Sequence, residues 1–485
     1  MKVLVLNPGS RFTKNVVRDL IYGCWCWGKR IGGAQAPPLS LLYIATVLKN
    51  EGHDVVFLDA LAEQKPINDV KKISKACDAV VISTSTMSFN EDCGILAELK
   101  KANKNIVTIM FGSHPTFMPQ YALSNNAIDI IVRREPDFII RDVVNGLAKG
   151  DKWKKVKGIG YREGKKKILN ELYPYIENLD ELPIPDRTLL PKGIDYFNPI
   201  VKRVPYTTMT SSRGCPGKCT FCTVPNFYGP RVRCRSAGKV IEEFVAIQKL
   251  GYKEVWLRDE TFTAFKSRNE VICKEMIKRK MDLTWIANAR VGLIDKEMMI
   301  LMKKAGCHMI KFGVESGVQE ILNNIKKGIN AEMTRKNFKW THEVGIDTHA
   351  HMMLGCPGDT KKTIETTMRF VREIAPTTVT FGVCTPYAGT ELFIDVAKKH
   401  PEIKDGSYCD LSKVHTSGFF NQYFTSLKGD ELENYIKKAY RSFYFRPSYI
   451  LKTLIRIRSW NEFFRITIAA SNVFSFSTGL GERED

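Results

Sequence analysis

Cys215, Cys219 and Cys222 stand in the run Arg213-Gly214-Cys215-Pro216-Gly217-Lys218-Cys219-Thr220-Phe221-Cys222, a C-x3-C-x2-C spacing. Three thiolates on one short loop suit a cubane [4Fe–4S] cluster, whose irons take cysteine ligands. Three ligands for four irons leave one iron open to a chelating molecule, much as a catalytic zinc keeps an open position. Gly214 and Gly217 let the backbone wrap closely around such a group. Zinc is the competing occupant, but it prefers four ligands in paired C-x2-C spacing. Only Cys234, beyond Cys222, stands near enough in the chain to complete that set. The chain has 13 cysteines, an odd number without the spacing of a disulfide framework. Clustered cysteines of that kind more often serve metal or redox chemistry.

The elements that must position this loop are legible in the apolar pattern. Strand signals at Tyr206–Ser212, Glu254–Arg258, Leu283–Ala287, Met309–Val314, Asp347–Leu354 and Thr377–Val383 alternate with helical patterns such as Lys239–Leu250 and Asp295–Ala305. Six β/α units predict a parallel barrel, incomplete beside an eight-fold one, with its active site at the carboxyl ends of the strands. The cysteine loop follows the first of these strands and so belongs at the barrel mouth. Upstream, Lys2–Asn7, Asp54–Leu58, Ala79–Ser83, Ile106–Phe111 and Ile128–Val132 read as five apolar strands separated by helices such as Leu39–Asn50. They predict an open, doubly wound parallel sheet that binds ligands at its strands' carboxyl ends. Gly, Ser, Thr and Pro enrich the turns there, favouring a ligand with phosphate or amide groups, and no G-x-G-x-x-G supports a dinucleotide. The expected organisation is a doubly wound domain over 1–150, a linker over 151–205, a barrel over 206–400 and a helical region over 401–485.

The cysteine spacing is the signature of the radical S-adenosylmethionine enzymes, and four strand-end runs resemble that superfamily in register. These are Trp256-Leu257-Arg258-Asp259-Glu260-Thr261-Phe262, Phe312-Gly313-Val314-Glu315-Ser316-Gly317, Met353-Leu354-Gly355-Cys356-Pro357-Gly358-Asp359 and Thr385-Pro386-Tyr387-Ala388-Gly389-Thr390-Glu391-Leu392. The resemblance spans most of 206–395. It implies that Cys215, Cys219 and Cys222 hold the cluster. It also implies that Asp259, Glu260, Arg290, Glu315, Ser316, Gly355 and Pro357 meet S-adenosylmethionine.

Ala36-Pro37-Pro38-Leu39-Ser40-Leu41-Leu42-Tyr43-Ile44-Ala45 and Gly52-His53-Asp54-Val55-Val56-Phe57-Leu58-Asp59-Ala60 resemble the cobalamin-binding class of these enzymes, which includes methylases and the anaerobic Mg-protoporphyrin ester cyclase-like group. The resemblance implies corrin contacts from Pro8, Leu39, Ser83, Ser85, Gly112, His114 and Glu135. The turn Asn7-Pro8-Gly9-Ser10-Arg11-Phe12 lacks the D-x-H-x-x-G histidine that ligates cobalt in many cobalamin domains, so the lower axial ligand is expected to be absent or differently supplied. His114 suits a local role better than a corrin contact. A competing resemblance is to the radical methylthiotransferases, which place a second cluster on three N-terminal cysteines. Cys24, Cys77 and Cys93 are the candidates, but Cys24-Trp25-Cys26-Trp27 does not match a strand-end ligand. The tail also lacks the pattern of those enzymes' small β-barrel.

The resemblance implies reductive cleavage of S-adenosylmethionine to a 5′-deoxyadenosyl radical that abstracts hydrogen. The expected outcome is methylation of an unactivated carbon. Ring closure or rearrangement in tetrapyrrole or isoprenoid-lipid biosynthesis is the alternative, and a cobalamin-binding regulator is a third reading. A one-electron donor such as flavodoxin or ferredoxin is the expected partner, with a small-molecule or lipid-like substrate and no nucleic acid. The run Arg441–Phe464 interleaves aromatic and aliphatic residues with Arg and Lys at near-helical spacing. It suits either a helix packed on the barrel or an interfacial helix touching a membrane. The net charge of +21 fits a Lys-rich solvated surface or attraction to anionic partners. No signal-peptide pattern or span of roughly 18 apolar residues is present, so the expected location is the cytoplasm.

Overall fold

The strands of the first sheet form where the chain is apolar at successive positions, because both faces of a parallel sheet are covered. In the computed structural model, which describes residues 1–11, 16, 18, 31–404, 424–427 and 429–479, Lys2–Asn7 (β1) is buried from its second residue on. It is flanked by Asp54–Asp59 (β2) and the wholly buried Ala79–Thr84 (β3), followed by Val107–Gly112 (β4) and Ile130–Val132 (β5). These five strands are mutually parallel. Helices Leu39–Asn50 (α1), Phe89–Ala102 (α2) and Asp137–Leu147 (α3) pack on this sheet and split its core into two clusters.

The stretch expected to be a linker differs from that reading. Ile159–Glu163 (β6) and Lys166–Leu169 (β7) form an antiparallel hairpin that extends the sheet to the order β2-β1-β3-β4-β5-β6-β7. The Lys-rich composition hid it, because an edge hairpin needs only one apolar face and tolerates charge on the other.

The second sheet curls into an open half-barrel. Its six strands are Tyr206–Met209 (β8), then, after the short pair Ser212–Arg213 (β9) and Arg233–Cys234 (β10), Glu254–Leu257 (β11), Thr284–Ala289 (β12), Cys307–Glu315 (β13), Asp347–Leu354 (β14) and Thr378–Val383 (β15). All six pair in parallel in the order β15-β14-β13-β12-β11-β8. Helix Ala237–Lys249 (α4) is one of the crossovers.

The open edge of β15 is closed by the tail, whose helices are Gly429–Tyr444 (α5), Pro447–Arg456 (α6) and Trp460–Thr478 (α7). The Tyr444 hydroxyl accepts from the Val379 amide at 2.9 Å and donates to its carbonyl at 2.6 Å. Tyr440 accepts from the Phe381 amide at 3.2 Å, and Tyr449 donates to the Thr377 carbonyl at 3.0 Å. Tyrosine hydroxyls thus do for an edge strand what a neighbouring strand would do. Among the described residues no helix is long and apolar enough to cross a membrane.

Candidate active site

The cysteine loop leaves β9 at the mouth of the half-barrel, and all three of its thiols are partly exposed. A Cβ placed on Gly217 would lie 3.3 Å from Cys215 Sγ, 3.7 Å from Cys219 Sγ and 3.0 Å from Arg290 Nη1. The missing side chain therefore leaves open the space between two thiols. The Gly217 amide points at Cys215 Sγ, 3.4 Å away, as amides do toward cluster thiolates. Among the described residues no three His, Cys, Asp or Glu side chains gather around one point as a single metal ion requires. A cubane takes each thiolate on a different iron, so its three ligands need not converge on one point as those of a single zinc must.

Around the loop, buried charge is arranged toward the mouth. Arg290 reaches Cys219 Sγ at 3.9 Å and also donates to the Lys327 carbonyl. Lys327 donates to Glu315 Oε1 at 2.7 Å, with both side chains buried. Burial opposes the Lys327 charge, but Glu315 and Cys219 beside it hold its pKa above the usual lysine value. Glu315 ends β13 at a register shift against β14, with a left-handed φ of 67°. A non-glycine residue there carries strain of about 1–3 kcal/mol, and such strain gathers at functional sites. Its second oxygen, Oε2, is buried without a hydrogen-bond partner.

Glu260 is a second carboxylate near the mouth with buried, unpaired oxygens. Neither of its oxygens meets a donor from another residue, and burial pushes its pKa up to about 8. Its neighbour Asp259, expected to meet S-adenosylmethionine, is instead consumed internally. It accepts from the Ser211 amide at 2.6 Å and from the hydroxyls of Ser211 and Ser212 at 2.5 and 2.7 Å. Asp259 therefore ties the end of β11 to the start of the cysteine loop. Ser316 is engaged in its own turn, 3.1 Å from the Thr367 hydroxyl and accepting from the Val318 amide at 3.2 Å. Gly355 and Pro357 lie in the turn after β14, which Asp359 organises by accepting from the Cys356 amide at 2.9 Å.

The N-terminal sheet presents its carboxyl ends to the same mouth. Tyr387, in the loop after β15, donates to Met87 Sδ after β3 at 3.6 Å. Met118, in the segment after β4, packs in one apolar cluster with Ala388 and Phe393. Phe117 meets Phe227, just beyond the cysteine loop, at 6.3 Å between ring centroids. The two sheets thus face each other across the cysteine loop.

Several residues expected to contact a corrin do other work. Glu135 is a buried clamp between the domains, accepting from Arg233 at 2.9 and 3.0 Å and from Arg213 at 3.3 Å. Asp137 completes the clamp by accepting from Arg213 at 2.6 and 3.1 Å. Burial works against the Arg213 charge, but Asp137 holds its pKa well above the ordinary value. Removing one partner from such a buried pair typically costs about 3–5 kcal/mol. The sequence signal for this clamp was only Arg213 beside the cysteine motif, and its partners lie 76 and 78 positions away.

His114 is fully buried against Phe89 and Tyr121, at centroid distances of 4.3 and 5.7 Å. Burial holds its pKa down to about 3, so its ring is neutral within the core. Leu39 packs on Ile176, Leu179 and Leu182, so it joins α1 to the connector. Gly112 answers to the sheet, because a Cβ there would lie 1.9 Å from the Thr84 carbonyl oxygen.

Ser83 and Ser85 are buried at the end of β3, and Ser85 shares a hydrogen bond with Ser88 at 3.2 Å. The Pro8 carbonyl accepts from Arg18 at 2.7 Å, and Arg18 also pairs with the buried Asp92 at 2.8 Å. Thr84 donates to the same Asp92 at 2.7 Å, so the turns after β1 and β3 hang on one buried charge pair. Cys77 and Cys93 are buried in an apolar cluster with Leu96 and Ile82, and burial raises both thiols' pKa values. They lack the exposure of cluster ligands, and Cys24 lies outside the described residues.

A doubly wound sheet docked over the mouth of a half-barrel with a three-cysteine loop defines a radical S-adenosylmethionine enzyme with a corrin-type domain. Two family models agree: the B12 binding domain matches residues 32–143 and the radical SAM superfamily matches residues 209–371. An uncharacterized methyltransferase of Pyrococcus horikoshii is 32% identical over 88% of this chain and 92% of its own length. The anaerobic magnesium-protoporphyrin IX monomethyl ester cyclase of Rubrivivax gelatinosus is 30% identical over 76% of this chain and 68% of its own. Among solved structures, the fold resembles the radical S-adenosylmethionine methyltransferase TsrM from Kitasatospora setae, with cobalamin and a [4Fe-4S] cluster bound. That match has a TM-score of 0.68 and 16% identity, and covers 83% of this chain and 75% of TsrM. This chain belongs to the cobalamin-binding radical S-adenosylmethionine enzyme family. Its cofactors are a [4Fe–4S] cluster, S-adenosylmethionine and cobalamin.

Proposed function

We propose that this enzyme methylates an unactivated carbon of a small-molecule or lipid-like substrate in a cobalamin-dependent radical reaction. The observation that carries the reading is the facing of the two sheets' carboxyl ends across the cysteine loop, through Met87–Tyr387 and Met118–Ala388. That arrangement supports a methyl carrier opposite the radical source. Similarity to a methyltransferase along nearly its whole length supports the same reading.

When bound, the cluster and S-adenosylmethionine supply a hydrogen-abstracting radical, and cobalamin supplies a methyl carrier. The chain's own residues hold and shield these partners. Cys215, Cys219 and Cys222 hold the cluster, and Arg290 places a positive charge beside Cys219. The Glu260 carboxyl oxygens, buried without a partner, suit the N–H groups of a bound amino acid's amino group. Glu315 Oε2 suits a donating ribose hydroxyl, while Lys327 fixes the other oxygen. Asp259 and Ser316 position the strand ends. The Glu135 and Asp137 clamp fixes the corrin-side domain against the residue that precedes the cysteine loop. Pro8, Ser83 and Ser85 stand at the strand ends that face the mouth.

Similarity to the ester cyclase favours a second reading, radical ring formation. Product stoichiometry separates the two. A methylase consumes one S-adenosylmethionine for the radical and one for the methyl group, so coupled turnover releases 5′-deoxyadenosine and S-adenosylhomocysteine in near-equal amounts. Release of 5′-deoxyadenosine without matching S-adenosylhomocysteine overturns the methylase reading.

A further inference from the structure

Among the described residues, eighteen large apolar side chains are exposed, and half of them fall between Ile450 and Phe474. The rest are scattered singly over the chain, as on any soluble surface. On α6, Ile450, Leu451, Leu454 and Ile455 are 48, 59, 54 and 63% exposed. Their spacing places them on one helical face. On α7, Trp460, Phe463, Phe464 and Ile468 repeat the pattern at 78, 36, 60 and 48%. The buried positions of α7, such as Glu462, Arg465 and Val473, lie between them, so α7 is amphipathic with its larger apolar residues outward. Core packing alone does not select that arrangement.

The exposed charges that the two helices themselves carry within the patch are basic, with Arg456 3.8 Å from Asp347 and the buried Arg465 paired with Asp195 of the connector at 2.5 Å. Lys452, Arg456 and Arg458 are exposed among these residues. The acid of the segment, Glu462, is buried and accepts from the Arg458 amide at 2.9 Å. Large aliphatic and aromatic side chains rimmed by Lys and Arg are the composition of a helix pair lying in a lipid interface. A second copy of this chain would have to bring the same cations against one another, whereas an anionic lipid surface complements them. The patch is also continuous with an interior space. Ile450, Leu454, Phe463 and Phe474 line a cavity of about 860 Å³ inside the half-barrel, walled on its far side by Trp256, Lys311 and His349.

We infer that α6 and α7 form a peripheral docking face for an anionic phospholipid bilayer. The helices lie along the surface rather than through it, in keeping with their length. The inference does not depend on which reaction the enzyme performs.

The test is co-sedimentation of the full chain with vesicles of phosphatidylglycerol and phosphatidylcholine at about 1:2, beside vesicles of phosphatidylcholine alone. Binding to the anionic vesicles is expected, weakening as salt rises. The double substitution Trp460→Glu and Phe464→Glu is expected to weaken it about tenfold or more. Neither residue lines the cavity, so cluster content and circular dichroism should be unchanged. Ile394→Glu alters an exposed apolar residue elsewhere, 49% accessible, and should leave vesicle binding intact. Absence of binding to anionic vesicles overturns the inference, as does equal binding by the double variant. Self-association that the double variant abolishes, without vesicle binding, would assign the face to a second copy instead.

Discussion

Replacing Cys215, Cys219 and Cys222 together with Ala abolishes the absorbance near ~400 nm of the anaerobically reconstituted protein and, with it, all reductive cleavage of S-adenosylmethionine. The wild-type chain carries about four irons and four sulfides under the same conditions. Cys77 and Cys93 are buried thiols of the apolar core and do not offer a substitute ligand set. Folding is expected to survive, since the three thiols are partly exposed and the loop is held from outside by Asp259 and Arg213. A triple variant that retains its cluster shows that the ligands are elsewhere.

Replacing Glu260 with Gln weakens S-adenosylmethionine binding by about 1.5–3 kcal/mol, which is roughly ten- to a hundredfold in dissociation constant. The pH dependence separates this role from a structural one. Burial raises the Glu260 pKa from 4.5 to about 8, so below that value the carboxyl binds a proton and is a weaker acceptor for the N–H groups of the amino group. Affinity in the wild-type chain should therefore climb as pH rises toward about 8, and this slope should vanish in Glu260→Gln. Stability should move the opposite way. The unfolded carboxyl ionises near 4.5 and the folded one near 8, so the native state holds an extra proton between them and loses stability as pH rises through that window. Isothermal titration at several pH values checks the first slope, and denaturant melts of the apo protein check the second. An unchanged affinity in Glu260→Gln would remove Glu260 from the site.

The sequence was most informative where local pattern and local chemistry coincide. The strands β1 and β3 are apolar runs whose burial requires no knowledge of distant partners, and the C-x3-C-x2-C spacing carries its chemistry within eight residues. It was least informative where function depends on which of two similar groups finds a partner. Asp259 and Glu260 are adjacent acids with the same motif context, and only the fold shows that Ser211 and Ser212 satisfy one and leave the other unsatisfied. Glu135 follows a strand end just as a ligand residue would, yet Arg233, 98 positions away, claims it. His114 sits at the right turn for a corrin contact, but Phe89 and Tyr121 enclose it. The hairpin β6–β7 was read as linker because its charge pattern is that of an edge, and edge strands carry weak apolar signals. The tail supported both of its readings at once. The tyrosines of α5 and α6 pack on β15, while the outer faces of α6 and α7 stay exposed.

The most direct test of the central claim follows the methyl group itself. The reduced, fully reconstituted enzyme is incubated with S-adenosylmethionine carrying a trideuterated methyl group and a metabolite and lipid extract from a strain lacking the gene. Mass spectrometry then compares the products with those of the unlabelled reaction. Methylation of an unactivated carbon predicts a product that gains one trideuteromethyl group on a carbon that previously bore hydrogen. A product that carries no label and has lost two hydrogens would contradict that account and identify the enzyme as a ring-forming one.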